Sequence, residues 1–415
     1  MSEARYALLP VLALLSVACY EGTGPATGGD AAADSVEPDA RDGAEADDVT
    51  LDEKEDPAVD LQEETADIVE VEETPIDIEQ EGEPLPCSDG EIRCDATGAN
   101  VCRDGSWHGM GSCPLGCDED VDKCYIPSNG MAGVIDRGTG DLDFSGTMAD
   151  LYFNTDTGEI RNSEDETIRE PYMGFDEDTE IYFIIAEQPD GAPSQGVFVM
   201  GELRLPAGIT LFGEGANALA LVATGDMIIG GIINVCASGQ EPGCGGWRGG
   251  DGGEDGTGPC RGRKGEGTGE TAHNCTSGGG GAGFGGPGGA GGEAAIECEY
   301  PGGEAGGLCG NQALTPLLGG SGGGGGGMAE GDESAMPGTG GGGGGAVQLV
   351  SATLIWFGPS SGIHAGGDGG GESNVAGGGG GGAGGAALIE APDVDLARGA
   401  VFAANGGGGG AGDCT

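Results

Sequence analysis

Three stretches in the second half of the chain share one alternation of apolar and turn positions. They are ALALVATGDMIIGGIINVCASG from Ala218, AVQLVSATLIWFGPSSGIHAGG from Ala346 and AALIEAPDVDLARGAVFAANGG from Ala386. Each opens with a short apolar run: Leu219 to Val222, Val347 to Val350, Ala387 to Ile389. A turn leads to a second run: Met227 to Ile229, Leu354 to Phe357, Val394 to Leu396. A third run closes on Gly or Asn-Gly: Ile232 to Val235, Ile363 to Ala365, Val401 to Ala404. Such short runs between turn residues predict strands. One unit of about twenty residues cannot bury its apolar side alone, whereas stacked units bury a continuous core. The pattern predicts an all-β fold, a right-handed parallel β-helix-like solenoid with one coil per repeat. Further short strands are expected within 130–212, in DLYFNTDTGEI, TEIYFIIAE and GVFVMGELRLPAGITLFGEG. This domain spans 127–415.

Long Gly-rich insertions at 239–345, 366–385 and 405–415 separate the repeats. Stacking tolerates insertions at one corner, because the cost of closing a loop rises slowly with its length. The glycines are therefore excursions, and the apolar runs mark each return to the stack. Disorder is the default for such segments, since glycine loses most backbone freedom on ordering. The favoured arrangement is nonetheless partly ordered, close-packed loops in which extended glycine runs bond side by side, since cysteines in the longest insertion would staple it. No Gly-X-Y period is present, so collagen is excluded.

Composition changes the picture at the other end. The chain has 71 acidic and 15 basic residues among 415, a net charge of −56. Such a charge repels nucleic acid and anionic lipid. Residues 20–86 are roughly one-third Asp and Glu, with Arg41 and Lys54 the only cations, and lack apolar periodicity. Too little apolar area is available there to offset ordering, so a disordered acidic linker is expected. Before it, Arg5 and the apolar run Tyr6 to Val17 have the form of a signal peptide, too short to span a bilayer as a helix. LLSVAC resembles a bacterial lipobox, making residues 1–19 a signal peptide and Cys19 the lipidation site; Ser16 departs from the usual Leu. Tyr20 follows the Cys, where inner-membrane retention uses Asp, which points to the outer membrane.

Export allows disulfides. Cys87, Cys94, Cys102, Cys113, Cys117 and Cys124 crowd residues 87–126, a module too small for its own core. Fifteen pairings of six cysteines are open. Short zinc knuckles are lacking, so disulfides are favoured over metal. Trp107 is its packing anchor. Cys236, Cys244, Cys260, Cys275, Cys298 and Cys309 are candidates to staple the longest insertion. The block resembles the small Cys-rich repeat of exported myxobacterial proteins. The ordered motifs from LPAGITLFGEGANALALVATGDMIIGGIIN through GGGGAGFGGPGGAGG to GGGGGGAGGAALIEAPDV resemble uncharacterised glycine-rich surface proteins of myxobacteria and relatives. That resemblance covers 130–415 and implies export and a repetitive β architecture, but no activity. Members of that group continue past ANGGGGGAG with more Gly-rich sequence and a closing strand; this chain stops at Thr415.

Catalysis is not expected. GGSGG around Ser321 and the many GxGxxG matches are what a glycine-rich chain contains by chance, outside any strand–turn–helix context. His108, His273 and His364 form no recognisable set, and NTDTGEI with Asp156 and Glu159 lacks calcium-loop spacing. Arg261, Arg263 and Lys264 form the one basic cluster. β-Helix polysaccharide-degrading enzymes need clustered carboxylates, and Asp226, Glu390, Asp393, Asp395 and Arg398 fall at different offsets. The sequence points to a lipid-anchored, exported protein of the outer membrane or cell surface, structural or adhesive, without cofactor, metal or nucleic acid. A surface polysaccharide or protein is its expected partner, with the Gly loops as contact face. The alternatives are such an enzyme, or a Cys-rich recognition module carried on a spacer.

Overall fold

The computed structural model describes residues 123–412, apart from 269–274, 295–299 and 329–334. It also describes 87, 92–95, 98–111, 113 and 115–118. The expected signal peptide, Cys19 and acidic linker lie outside these residues, as does Cys298. The described residues are all-β apart from two short 3-10 turns, Met131–Gly133 and Pro189–Gly191.

Among the described residues, three sheets are built by one path that repeats four times. Gln195–Met200, Ala218–Ala223, Ala346–Ser351 and Ala386–Glu390 lie side by side, parallel, in the first sheet. Leu203–Leu205, Met227–Ile229, Leu354–Phe357 and Asp393–Leu396 do the same in the second. Thr210–Glu214, Ile232–Asn234, Gly362–His364 and Val401–Ala403 do so in the third. The chain thus visits first, second and third sheets in turn, and each visit pairs in register with the one before. Three passes match the sequence repeats. The pass at 195–214 is legible from sequence only as local strands: it keeps the spacing of the others, Leu205 to Thr210 matching Phe357 to Gly362 and Leu396 to Val401, but three residues and no glycine insertion separate it from the next. The glycine insertions all leave from one corner, between the third sheet and the first.

Alternation places the core. Phe198, Met200, Leu219, Leu221, Val347 and Leu349 point inward from the first sheet and are fully buried. Leu203, Met227 and Ile355 stack from the second sheet, and Leu211, Ile233 and Ile363 from the third. Phe198 meets Phe153 edge-on at 5.1 Å and Phe183 tilted at 4.7 Å, filling one end. Truncating a ring such as Phe198 to Ala should cost about 3–5 kcal/mol. At that end the first and third sheets finish in antiparallel strands, including Tyr182–Ala186 and Ile160–Asn162, while the second ends in parallel Leu142–Asp143. Buried Arg169 holds the finish together: Nη1 donates to Gly158 O at 2.5 Å and Nη2 to Tyr172 O at 2.9 Å. At the other end Val394 and Leu396 face inward yet are 39% and 48% exposed, with no further pass over them among the described residues.

The outer face of the first sheet is covered. Leu115, Met131 and Ile135 pack on Val197, Val199, Ala220, Val222 and Val350. Polar residues lock this cover in place. Gln195 Nε2 donates to Gln348 Oε1 at 2.9 Å, and Asn129 Nδ2 to the same oxygen at 3.1 Å. Gln348 Nε2 donates to Glu390 Oε2 at 2.8 Å, and Glu390 in turn accepts from Ser128 N–H and Oγ–H. The buried Gln348 amide is thereby satisfied through both its oxygen and its nitrogen, whereas Gln195 Oε1 is buried without a partner.

Among the described residues the insertions form only one short antiparallel pair, Gly267–Thr268 with Cys275–Thr276, yet they are ordered by backbone hydrogen bonds. Gly320, Gly323 and Gly326 N–H donate to Gly344, Gly341 and Gly338 C=O. Gly322 and Gly325 N–H donate to Thr257 and Glu254 C=O, while Gly324 and Gly327 donate to Gly280 and Ser277. On the acceptor side, Gly320, Gly323 and Gly326 C=O take Trp247, Gly250 and Gly253 N–H. Ser321, Gly324 and Gly327 C=O take Ala383, Gly380 and Gly377, and Gly322 and Gly325 take Gly262 and Gly265. Each partner thus recurs every third residue, the period of an extended threefold helix. Among the described residues the run Gly319–Gly327 contacts six neighbouring segments in this way and is buried throughout.

Close approach requires glycine here. A Cβ on Gly323 would sit 2.1 Å from Gly380 O, on Gly325 1.9 Å from Asp251 O, on Gly320 2.2 Å from Ala383 O. These are rigid backbone atoms, so Gly323→Ala should destabilise by more than about 3 kcal/mol, as for severe overpacking. Gly289, whose Cβ would meet nothing within 4 Å, is the control. Gly289→Ala should be neutral or stabilising by up to about 1 kcal/mol, through lower unfolded-chain entropy. Urea unfolding of both variants measures the contrast.

Candidate functional site

The glycine bundle meets the sheets through a small apolar joint. Ala218, Ala346 and Ala386, the first residues of three first-sheet strands, pack with Leu314, Leu317 and Phe284. Gln188 fastens the same place, donating to Leu317 O at 2.8 Å and accepting Leu317 N–H at 2.8 Å. From this joint the segments run away from the strands and back. Their remote turns carry the larger side chains, including Met328 and Met336, 51% and 63% exposed. Met336 is bridged to Asn374 in the neighbouring turn. Where side chains occur on the rods they follow the threefold period. In RGGDGGE, Arg248, Asp251 and Glu254 recur every third residue, and Arg248 pairs with Asp251 at 3.1 Å.

Covalent staples reinforce this region. Cys260–Cys309 joins two turns of the bundle. In the N-terminal block the bonds are Cys87–Cys102 and Cys94–Cys117. Cys113, Cys236 and Cys275 are disulfide-bonded as well. The side chain of Cys124 lies outside the described residues. Cys244 departs from its expected role as a staple. It is a free, buried thiol packed in the main core. Burial pushes its pKa up to about 12. The reason is position: Cys244 lies where the chain leaves the third sheet, with its sulfur against Gly213 rather than among the surface turns.

The other candidate side chains are dispersed by the fold. Ser321 is fully buried in the central glycine run, where its Oγ accepts the Cys260 N–H at 3.1 Å. Asp226 accepts Thr353 Oγ–H at 2.7 Å, and Glu390 is turned to Ser128. Asp393 and Asp395 are exposed on the last second-sheet strand, and Arg398 lies in the turn after it. Asp156 accepts from Ala216 N–H and Asn217 Nδ2, and Asn154 Oδ1 accepts two following N–H groups, so NTDTGEI is a turn. His364 is in register with Asn234 and Ala403 on the outer side of the third sheet. Its half-burial lowers its pKa. His273 lies outside the described residues, as does the side chain of His108. Among the described residues no cluster of His, Cys, Asp or Glu could hold a metal ion. No described helix is long and apolar enough to cross a membrane.

The basic cluster is internally committed. Arg263 Nη1 lies 2.6 Å from Asp255 Oδ2 and Arg261 Nε 3.8 Å from it. Burial opposes ionisation of Asp255, but the Lys264 N–H and the Arg263 and Arg261 guanidinium groups outweigh it and hold its pKa below the ordinary value. Sequence reading identified the cations but not Asp255, since the pair forms only when two glycine segments lie side by side. Trp107 is covered by the Arg93 guanidinium at 4.7 Å, in keeping with a packing role. An aromatic ladder escaped sequence reading: Tyr152 stacks on Phe212 at 5.2 Å, with Arg161 over Tyr152 at 4.2 Å.

No family model, curated protein or solved structure matches the chain.

Two outcomes are expected. Cys244 should resist a thiol reagent in the native chain at pH 8 and react only on unfolding, a contrast that thiol titration with and without urea reads directly. Asp255 has a depressed folded-state pKa, so its stabilisation is full above the unfolded carboxyl value of about 4 and is lost as pH falls through the folded value. Urea midpoints should therefore fall less steeply below about pH 4 in Asp255→Asn than in the native chain.

Proposed function

We propose that the chain is an exported, lipid-anchored protein of the outer membrane or cell surface, structural or adhesive in kind and not an enzyme. In this reading residues 1–19 are a signal peptide and Cys19 carries the lipid. Residues 20–86 form an extended acidic tether, and 87–126 a disulfide-stapled module. The four passes are coils of a right-handed parallel β-helix, and the chain is akin to the glycine-rich surface proteins of myxobacteria that its motifs resemble. The observation that carries the reading is the buried run Gly319–Gly327 with its six hydrogen-bonded neighbours. A core made of backbone encloses no cavity; it fixes the positions of the turns at its ends. Those turns carry exposed Met328 and Met336, apolar side chains of the kind that contact surfaces use. The partner is a surface polysaccharide or protein.

Beads coated with the purified chain should adhere to envelopes of the producing cells. Met328→Asp together with Met336→Asp should reduce adhesion about tenfold or more, as loss of central apolar contacts does, without changing the melting temperature. Unchanged adhesion would refute the contact face, and release of reducing ends from surface polysaccharide would replace this reading with an enzyme. In a lipoprotein-processing host, Cys19→Ala should shift the chain from the membrane fraction to the soluble one.

A further inference from the structure

Among the described residues, two buried neighbouring segments of the bundle each lack one lateral partner. The segment 277–283 bonds to five neighbours: 319–327, 261–266, 302–307, 288–292 and 377–385. The segment 377–385 also bonds to five: 319–327, 277–283, 338–345, 366–371 and 405–410. The two touch each other, with Gly279 and Ala282 N–H donating to Gly378 and Gly381 C=O. Each has one free side, and the order of neighbours around each puts both free sides at the same place. That place is a slot bordered by 288–292 on one side and 405–410 on the other.

The backbone groups left over confirm where the slot lies. Among the described residues Gly279 and Ala282 C=O accept no hydrogen bond, and Gly378 and Gly381 N–H donate none. All four residues are buried by their other neighbours. They repeat at the three-residue period of the bundle, two acceptors facing two donors. Unsatisfied buried backbone is costly, and an open row of it is a template for another chain, as at a sheet edge. The slot matches one more extended glycine segment in shape and in hydrogen-bonding period.

Charge identifies the source. The chain carries a net charge of −56, yet 277–292, 376–385 and 405–412 contain no charged residue or histidine. This face is where two like-charged copies can approach at least cost. It is also self-complementary. The exposed ridge 405–410 is the slot's own neighbour, so a twofold rotation places each ridge in the other copy's slot, the isologous pairing typical of dimers. Antiparallel neighbours are already accepted in the bundle, as between 319–327 and 338–344.

We propose that the slot over Gly279, Ala282, Gly378 and Gly381 binds the glycine ridge 405–410 of a second copy of this chain, forming a twofold dimer through threefold-helix pairing. The proposal is independent of the membrane anchor and the contact turns. It is tested by sedimentation equilibrium of the purified chain from low micromolar to millimolar concentration, with amide exchange at Gly378 and Gly381. The native chain should dimerise, and those two amides should become protected as dimer accumulates. A Cβ on Gly281 meets only ordinary contacts, Gly289 N at 3.4 Å and Gly381 O at 3.6 Å, so Gly281→Leu fits a single copy while filling the slot. It should weaken dimerisation at least about tenfold with an unchanged melting temperature. Should that variant fail to fold, Gly408→Asp, whose Cβ meets nothing within 4 Å, places a carboxylate on the ridge and should weaken dimerisation equally. Gly146→Asp, an exposed site elsewhere with the same added charge, should leave it intact. A native chain that stays monomeric throughout, or a dimer that tolerates both Gly281→Leu and Gly408→Asp, overturns the proposal.

Discussion

The structure depends on how closely one backbone can approach another. In the glycine bundle the carbonyl of one segment occupies the volume that a Cβ of its neighbour would need, as at Gly320, Gly323 and Gly325. That exclusion lets each residue spend its N–H and C=O on different neighbours, so that one extended run is held from six sides. The entropy of ordering glycine is the main opposing cost. It is offset by hydrogen bonds that, in buried surroundings, would be expensive to leave unmade. Side chains survive only where the lattice has room, as with buried Ser321 and Ala383 or with Arg248 and Asp251 on the outside.

The sheets supply what the bundle lacks. A glycine rod has almost no apolar surface, and nothing in it distinguishes one register from the next. The passes fix register through side chains: Leu219 opposite Val347, Met227 opposite Ile355, Ile233 opposite Ile363. Because the insertions 239–345 and 366–385 start and end at the same corner, and 405–412 starts there, the strands set where each rod begins. The joint of Ala218, Ala346 and Ala386 under Leu314 and Leu317 transfers that order from one part to the other. Small residues at the strand starts let the first glycines, such as Gly245 beside Ala218, come close.

Much of this was legible in the sequence, and the limits were physical. Strands at 218–235, 346–365 and 386–404 could be read because apolar runs and turns recur at matched offsets. The pass at 195–214 was harder, since no glycine insertion follows it to mark the end of a repeat. Glycine runs state that backbones come close but not which ones, so the pairing of 319–327 with 338–344 or 254–257 had no signal in side chains. Cysteine counting could not separate Cys244 from its neighbours, because burial in the core is decided by the path of the strand before it. The Asp255–Arg263 pair and the Ser128–Glu390 contact likewise join residues that only the fold brings together.

That last contact has a mechanical consequence. Ser128 lies just ahead of the three stacked sheets in sequence, yet it grips Glu390 on the final pass, with Gln348 and Gln195 on earlier passes wired to the same point. Tension arriving from the N-terminal side is therefore shared across several layers at once. The stack resists as a laminate loaded in shear, and cannot be unzipped one layer at a time until that clasp gives way.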